Sequence, residues 1–216
     1  LMNQKEGKRM ADECMNPDQL LVAQALERNP QPGLLDAPKD ALVPIGAGGT
    51  VQELVPNPEP KPKPGSIVDV IGVEGEWIGR GFYNGHSRIA VRILETDFDV
   101  PVDAGWFSRK IAQAVSLRRD VLKLDEVYNA WRVVHSEGDG LSGLVVDRYD
   151  DLIVVEFFSA GMYRHREWIF NALREHFPGC RFHSFADEHV QKQESFDYKD
   201  TLGTEPAIIS EHGIRF

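Results

Sequence analysis

The stretch Trp77-Ile-Gly-Arg-Gly-Phe-Tyr-Asn-Gly-His-Ser-Arg-Ile-Ala-Val-Arg-Ile-Leu94 decides the fold of the first well-patterned part of the chain. Its two β-forming runs, Trp77 to Tyr83 and Ser87 to Leu94, are separated by Asn84-Gly85. An Asn-Gly pair favours the tight turn of an antiparallel hairpin because both residues tolerate a positive φ. With Ile67 to Ile71 as a further strand, the sequence predicts a small antiparallel β unit.

The second run alternates apolar and basic residues. Residues in a strand point to opposite faces in turn, so Arg88 and Arg92 are expected to share one face. Antiparallel pairing can add Arg80 to that face, with Asn84 at its rim. Such an arrangement suits contact with single-stranded or looped RNA. A solvated face balanced by nearby carboxylates is an equally good interpretation.

A helix and an α/β unit are predicted after the hairpin. Asp103 is a candidate N-cap, and apolar residues from Phe107 to Leu122 recur at helical spacing, which predicts a helix at about 104–123. The strands predicted beyond it are Ala130–His135, Gly143–Tyr149, Leu152–Phe158, Arg181–Ala186, Val190–Glu194, Ala207–Ser210 and Gly213–Phe216. A helix is predicted at Arg164–Phe177, ended by Pro178-Gly179.

The first 64 residues have a different character. Prolines stand at every second position from Pro56 to Pro64, and proline lacks the amide donor that helices and central strands need. An extended linker is therefore predicted there. The stretch Asp18 to Glu27 is a candidate for a short helix, although its apolar residues form no clear stripe.

Composition excludes several classes of protein. A hydrophobic fraction of 42% can support a core, which excludes general disorder. No run of about 18 apolar residues is present, so no membrane span is predicted. The chain has no secretory signal pattern and only two cysteines, so a cytoplasmic protein is expected. The net charge is −10, and residues 122–216 carry 10 basic and 17 acidic side chains, which argues against nucleic-acid binding in that part.

Few residues are patterned for catalysis. Cys14 and Cys180 lie in no motif, and the histidines form no convincing metal cluster, so no metal site is predicted. Glu137 and Asp139 stand two positions apart and could act together in acid–base chemistry. Support of a turn by Asp139 is the favoured interpretation.

Six motifs in order carry a resemblance to a known family. They are Gly79–Asn84, Ser87–Leu94, Phe107–Ile111, Trp131–Val134, Glu137–Gly143 and Leu144–Tyr149. From Gly65 to Phe216 the chain resembles the front half of bacterial large-subunit ribosomal RNA methyltransferases of the cytosine C5 type, which use S-adenosylmethionine. The Glu-x-Asp-Gly-Leu-x-Gly block followed by Val-Asp-Arg-Tyr is the most specific part.

The resemblance implies an α+β architecture. A small antiparallel β-barrel of the PUA-like type is expected at 65–102, a linking helix at 103–123 and a central α/β domain at 124–216. Residues 1–64 would hold the linker and the first barrel strands. The Rossmann-like catalytic domain is expected to be absent from this chain, because Leu1 and Phe216 have the character of fragment ends.

The resemblance also implies functional residues and partners. No catalytic residue is transferred, and the full-length protein, not this chain, is expected to bind S-adenosylmethionine. The expected partners are ribosomal RNA and the protein's own C-terminal methyltransferase domain, and the family allows a homodimer. A cleft-shaping turn is expected at Glu137 and Asp139. The expected RNA-binding residues are Arg80, Asn84, Arg88, Arg92 and Arg109.

Departures from the family pattern support an alternative. Residues 41–64 lack the family's His-Pro-Trp segment, Ser142 replaces a proline, and the central domain is acidic. The acidic central domain suggests docking to the catalytic domain more than contact with RNA. The missing His-Pro-Trp segment and the net charge of −10 favour a second interpretation, a divergent, non-enzymatic PUA-like module that binds other proteins. A hydrolase that uses Glu137 and Asp139 is a third and weaker one.

Overall fold

The first sheet contains more strands than the sequence predicted. The computed structural model describes residues 20–24, 43–44, 62–72, 77–199, 207–211 and 214–215. Within these ranges one antiparallel sheet has the order β2-β1-β3-β4-β5. We call it the β-module, and its strands are β1 (Leu20–Gln24), β2 (Val43–Pro44), β3 (Ser66–Gly72), β4 (Trp77–Tyr83) and β5 (Val91–Glu95).

Two of the predictions for this region need correction. The helix predicted within Asp18 to Glu27 is wrong, because β1 pairs with β3 and so forms a sheet strand. Strand β5 begins at Val91 and not at Ser87, because residues 84–90 form a loop. A hydrogen bond of 2.8 Å from the backbone amide of Asn84 to the carbonyl oxygen of Ala90 closes this loop. The proline-rich linker falls largely on residues 56–61, outside the described ranges.

The linking helix is shorter than predicted. Helix α1 (Ala104–Ser116) begins at the predicted N-cap, where Asp103 Oδ1 accepts a hydrogen bond from the Trp106 amide at 2.8 Å. A π-helical turn, Leu117–Val121, follows. This wider turn changes the phase of the helix, so Leu117 and Val121 are exposed instead of continuing the apolar stripe.

The second sheet, with the order β6-β7-β8-β9, forms the centre of an α/β unit. Strands β6 (Ala130–His135), β7 (Leu144–Tyr149) and β8 (Leu152–Phe157) are antiparallel and confirm the prediction closely. Strand β9 (Arg181–Phe185) runs parallel to β8 after a crossover through two helices, α2 (Ala160–Arg164) and α3 (Arg166–His176). We call residues 130–199 the central unit.

The strand predicted at Val190–Glu194 is wrong. Residues Glu188–Glu194 form helix α4, whose N-cap Asp187 accepts a hydrogen bond from the His189 amide. A two-stranded hairpin, β10 (Ser210–Glu211) and β11 (Ile214–Arg215), lies towards the end of the chain. In the described ranges no helix is long and apolar enough to cross a membrane.

The two faces of the β-module belong to different apolar cores. One face contributes to a small core within the sheet, formed by Val68, Val70, Tyr83, Ala90 and Val91. The other face contributes Phe82 and Leu94 to a larger core that contains α1 and the central unit. The rest of the protein therefore covers this second face of the β-module. Whether an arginine lies on this face determines its environment.

Candidate nucleic-acid interface

Arg80 lies on the covered face and is used within the protein. Its Nε donates to Asp69 Oδ1 at 2.7 Å, and its Nη1 donates to the Val100 carbonyl oxygen at 2.8 Å. The guanidinium also lies 5.2 Å from the centroid of the Trp77 ring. Arg80 is only 7% exposed, so the solvent-facing position expected from the sequence is corrected.

Arg92 connects the β-module to the central unit. Its Nη2 lies 3.2 Å from Glu194 Oε1, and its Nη1 donates to Ser142 Oγ at 3.3 Å. The Glu137 carboxylate is 3.9 Å from the same Nη1 atom. Only 14% of the Arg92 side chain is exposed, and its Nε is buried without a hydrogen-bond partner. Arg92 therefore stabilises the contact between the two parts of the protein.

Asn84 makes the same connection from the adjacent loop. Its Nδ2 donates to the Glu194 carbonyl oxygen at 2.7 Å and to Glu194 Oε2 at 3.0 Å. The Ser87 hydroxyl donates to Glu194 Oε1 at 2.6 Å. Asn84 is 5% exposed, so it does not present its amide to solvent at the rim of the sheet.

Glu194 is the central residue of this connection, and sequence reasoning missed it. It lies at the end of α4, is 4% exposed, and also accepts a hydrogen bond from the Ala160 amide at 3.3 Å. The sequence offered no signal for it, because its donors Asn84, Ser87 and Arg92 lie about a hundred residues earlier in the chain. A buried carboxylate is stable when such donors satisfy it.

Arg88 and Arg109 remain exposed, as an RNA-binding role requires. Arg88 lies in the β4–β5 loop, residues 84–90, and Arg109 lies on α1. The five predicted residues thus separate into two groups. The structure brings Asn84 and Arg92 together at Glu194, while Arg80, Arg88 and Arg109 lie elsewhere.

The turn predicted to shape a cleft follows β6. Asp139 accepts hydrogen bonds from Arg118 Nη1 and from the His135 amide, both at 2.6 Å, so both carboxylate oxygens support the turn. Glu137 accepts from the Ser142 hydroxyl at 2.8 Å. Burial raises the pKa of Glu137, but hydrogen bonds from Ser136 and Ser142 outweigh it and lower the pKa overall. The contact of Arg92 with Ser142 brings this turn against the β-module.

An aromatic cluster lies at the same boundary. The His165 ring stacks on Phe82 at 5.3 Å and on Phe107 at 6.2 Å, and it lies 4.7 Å from Trp168. Burial lowers the pKa of His165, and the hydrogen bond between its Nδ1 and the Gly161 carbonyl oxygen opposes this effect. The neutral imidazole therefore acts here as a packing group.

The strand-to-helix crossover of the central unit does not fit an S-adenosylmethionine site. Such sheets bind nucleotide-like ligands where a parallel strand leads into a helix N-terminus. Here two amides at the start of α2 are already used, since Met162 donates to Ser159 Oγ and Ala160 donates to Glu194. Within the described ranges no group of three or more His, Cys, Asp or Glu side chains could hold a metal ion.

Comparison with known proteins first gives the class of the β-module. A family model described as "PUA-like domain" matches residues 51–96, which include β3, β4 and β5. The predicted PUA-like module is thereby supported over most of its length.

Curated relatives then identify the kind of protein that the chain resembles. Proteins named "Ribosomal RNA large subunit methyltransferase I" match from Shewanella denitrificans, at 33% identity over 72% of this chain, and from Alteromonas mediterranea, at 37% identity over 69%. The chain spans only 40% and 35% of these two relatives. The predicted resemblance to ribosomal RNA methyltransferases is thus supported, whereas neither name states cytosine C5.

Solved structures support the fold. A protein from Streptococcus mutans described as a SAM-dependent methyltransferase has a TM-score of 0.57 at 15% identity, over 73% of this chain and 41% of that chain. A methyltransferase complexed with SAH has the same TM-score at 17% identity, over 71% and 39%. Both descriptions name methyltransferases as such, so they do not support the expectation that this chain lacks a catalytic domain.

Proposed function

We propose that this chain is the RNA-targeting front part of an S-adenosylmethionine-dependent methyltransferase that modifies cytosine C5 in large-subunit ribosomal RNA. The similarity to curated large-subunit methyltransferases, together with the PUA-like match, carries the proposal. The catalytic part would lie in the portion of the relatives that this chain does not span. The domains proposed are 65–102, 103–123 and 124–216.

The role proposed for each part of the chain follows from which of the predicted side chains are exposed. Arg88 and Arg109 would contact RNA phosphates, because both are exposed and the other predicted contacts are used inside the protein. The central unit would dock against the catalytic part, in keeping with its acidic character. A homodimer remains a prediction.

RNA binding tests the proposal directly. Affinity for fragments of large-subunit ribosomal RNA is measured over a range of salt concentrations for the chain and for the Arg88→Ala and Arg109→Ala variants. Each variant is expected to weaken binding and to reduce the slope of log affinity against log salt by about 0.7 to 0.9 for each phosphate that is no longer neutralised.

Lys123→Gln is the matched control. Lys123 is an exposed cation beyond the end of α1, and its nearest carboxylate, that of Glu126, is 3.9 Å away. This variant should bind RNA as the parent does. An equal decrease in affinity for all three variants would mean that general charge, and not a defined surface, governs binding.

Methyl transfer requires the intact protein. With S-adenosylmethionine, the full-length protein should place a methyl group on C5 of a cytosine in large-subunit RNA, as detected by mass spectrometry of nucleosides. A methyl group on another base or atom would overturn the C5 assignment and leave the RNA-targeting role intact.

The non-enzymatic interaction module remains the second candidate. It is favoured by the net charge of −10 and by the use of Arg80, Asn84 and Arg92 inside the protein. This alternative predicts no methyl transfer by the full-length protein and no specific decrease of RNA affinity in the Arg88→Ala variant.

A further inference from the structure

We infer that Glu194 is a positioning residue for RNA recognition. Its carboxylate, which belongs to the central unit, holds the β4–β5 loop of the β-module in the conformation that presents Arg88. This inference rests on the proposed function and adds to it a residue that lies outside the part matched as PUA-like, residues 51–96.

Two loop side chains link the loop backbone to Glu194. Asn84 Oδ1 accepts from the His86 amide at 3.1 Å, while Nδ2 of the same side chain donates to Glu194. Ser87 Oγ accepts from the Ile89 amide at 3.1 Å and donates to Glu194 Oε1. Each of these two side chains accepts a hydrogen bond from a loop amide and donates one to Glu194. The backbone on either side of Arg88 is therefore fixed through Glu194.

Glu194 itself is held firmly. Helix α4 ends at this residue, and the following Ser195 adopts a left-handed conformation with φ at 55°. The carboxylate also receives the Arg92 guanidinium and the amide of Ala160, the first residue of α2. The loop is therefore positioned relative to three elements of the protein, and its own strands supply only part of its order.

Order in the loop has a direct consequence for binding. Immobilising a flexible side chain and its loop on binding costs conformational entropy, which lowers the affinity. A loop already fixed by Glu194 avoids part of this cost. Glu194 is buried beside Arg92, so its negative charge is paired and does not repel an incoming phosphate strongly.

Glu194→Gln is the principal test. The amide keeps the shape of the side chain but replaces one acceptor oxygen by a donor. The Ser87, Arg92 and Ala160 donors must then share the one remaining side-chain oxygen. Asn84 Nδ2 keeps its bond to the Glu194 carbonyl oxygen. RNA affinity of the full chain is expected to fall about tenfold, because the loop must then be ordered on binding. The amides of His86 and Ile89 should exchange hydrogen faster. Ser87→Ala removes only one link and should give a smaller change in the same direction.

A double-mutant cycle separates positioning from general stability. In the Arg88→Ala background, Glu194→Gln should cause no further decrease of RNA affinity, because the side chain that it positions is gone. Asp69→Asn is the control, since it also removes a buried charge beside an arginine, Arg80. It should lower stability without changing RNA affinity.

The outcomes distinguish the two proposals. If Arg88→Ala leaves RNA binding unchanged, the proposed contact fails, whatever Glu194 does. If Arg88→Ala weakens binding but Glu194→Gln does not, or if the two effects simply add, the positioning role is overturned and the contact stands.

Discussion

Asp69 and Arg80 are register partners in adjacent antiparallel strands, and a buried ion pair of 2.7 Å joins their side chains. The pair lies on the face of the β-module that the rest of the protein covers. One of the arginines predicted to contact nucleic acid is thus neutralised by the residue directly opposite. The ion pair allows the charged side chain of Arg80 to lie at the edge of the apolar core.

Removing one partner of this pair should be costly. We expect Asp69→Asn to lower the free energy of unfolding by about 3 kcal/mol, because it leaves the Arg80 charge buried without its partner. The double variant Asp69→Asn with Arg80→Met should recover most of that stability. Chemical denaturation of the three proteins measures both quantities, and equal destabilisation in the single and double variants would contradict the prediction.

A methyl group at Gly161 should disturb the packing between the two parts of the protein. A Cβ there would lie 2.1 Å from the Phe82 ring, which packs from the β-module onto the start of α2. We expect Gly161→Ala to cost about 1 to 3 kcal/mol through overpacking. Thermal unfolding would reveal the effect.

Gly105→Ala provides the comparison for Gly161. Gly105 is also helical, and its nearest neighbours are side-chain atoms of Asp103 and Arg109, at 3.3 and 3.4 Å. Alanine is the better helix former, so this variant should change stability by less than about 1 kcal/mol. Similar destabilisation at both glycines would mean that the Phe82 contact is not decisive.

Stability should depend on pH through His165. Burial lowers the pKa of His165 in the folded protein. Between this folded pKa and the unfolded value of 6.5, the unfolded chain therefore binds more protons than the folded protein does. The contribution of the neutral His165 side chain to the free energy of unfolding is therefore complete above about pH 6.5, and it is lost as the pH falls towards the folded pKa. The free energy of unfolding should rise with pH over this window, and His165→Phe should flatten the rise. An unchanged slope in that variant would assign the pH dependence to other groups.

The π-helical turn predicts a contrast between two residues of the linking segment. Ile111 is fully buried on α1, and Val121 at the end of the turn is 68% exposed. Ile111→Ala should cost about 2 to 5 kcal/mol, and Val121→Ala less than about 0.5 kcal/mol. A regular helical stripe would make both substitutions costly, so denaturation of the two variants tests the turn.

Local pattern was sufficient for most of the elements. Strands β6, β7 and β8 were predicted within a residue or so of their observed bounds, because apolar alternation and glycine-rich turns are encoded nearby in the sequence. The N-cap at Asp103 was found for the same reason. Helix α4 was missed because it is short and polar, and its Asp187 cap is also typical of a turn.

The candidate site was harder to predict from local sequence pattern than the helices and strands were. Alternation groups residues by face, but it carries no information on what covers a face. The central unit, which packs there, begins almost forty residues after Arg92. The contacts of Glu194 depend on this packing, so only the structure could reveal them.

The link between Asn84 and Glu194 spans 110 positions, which has a consequence during synthesis. Translation proceeds at about 5 to 20 residues per second, so roughly 5 to 20 s separate the appearance of the loop from that of its carboxylate partner. During this interval Arg92 lacks its buried counter-ion, and the emerging sheet has an uncovered apolar face. The contact between the β4–β5 loop and Glu194 therefore forms only after α4 has left the ribosome.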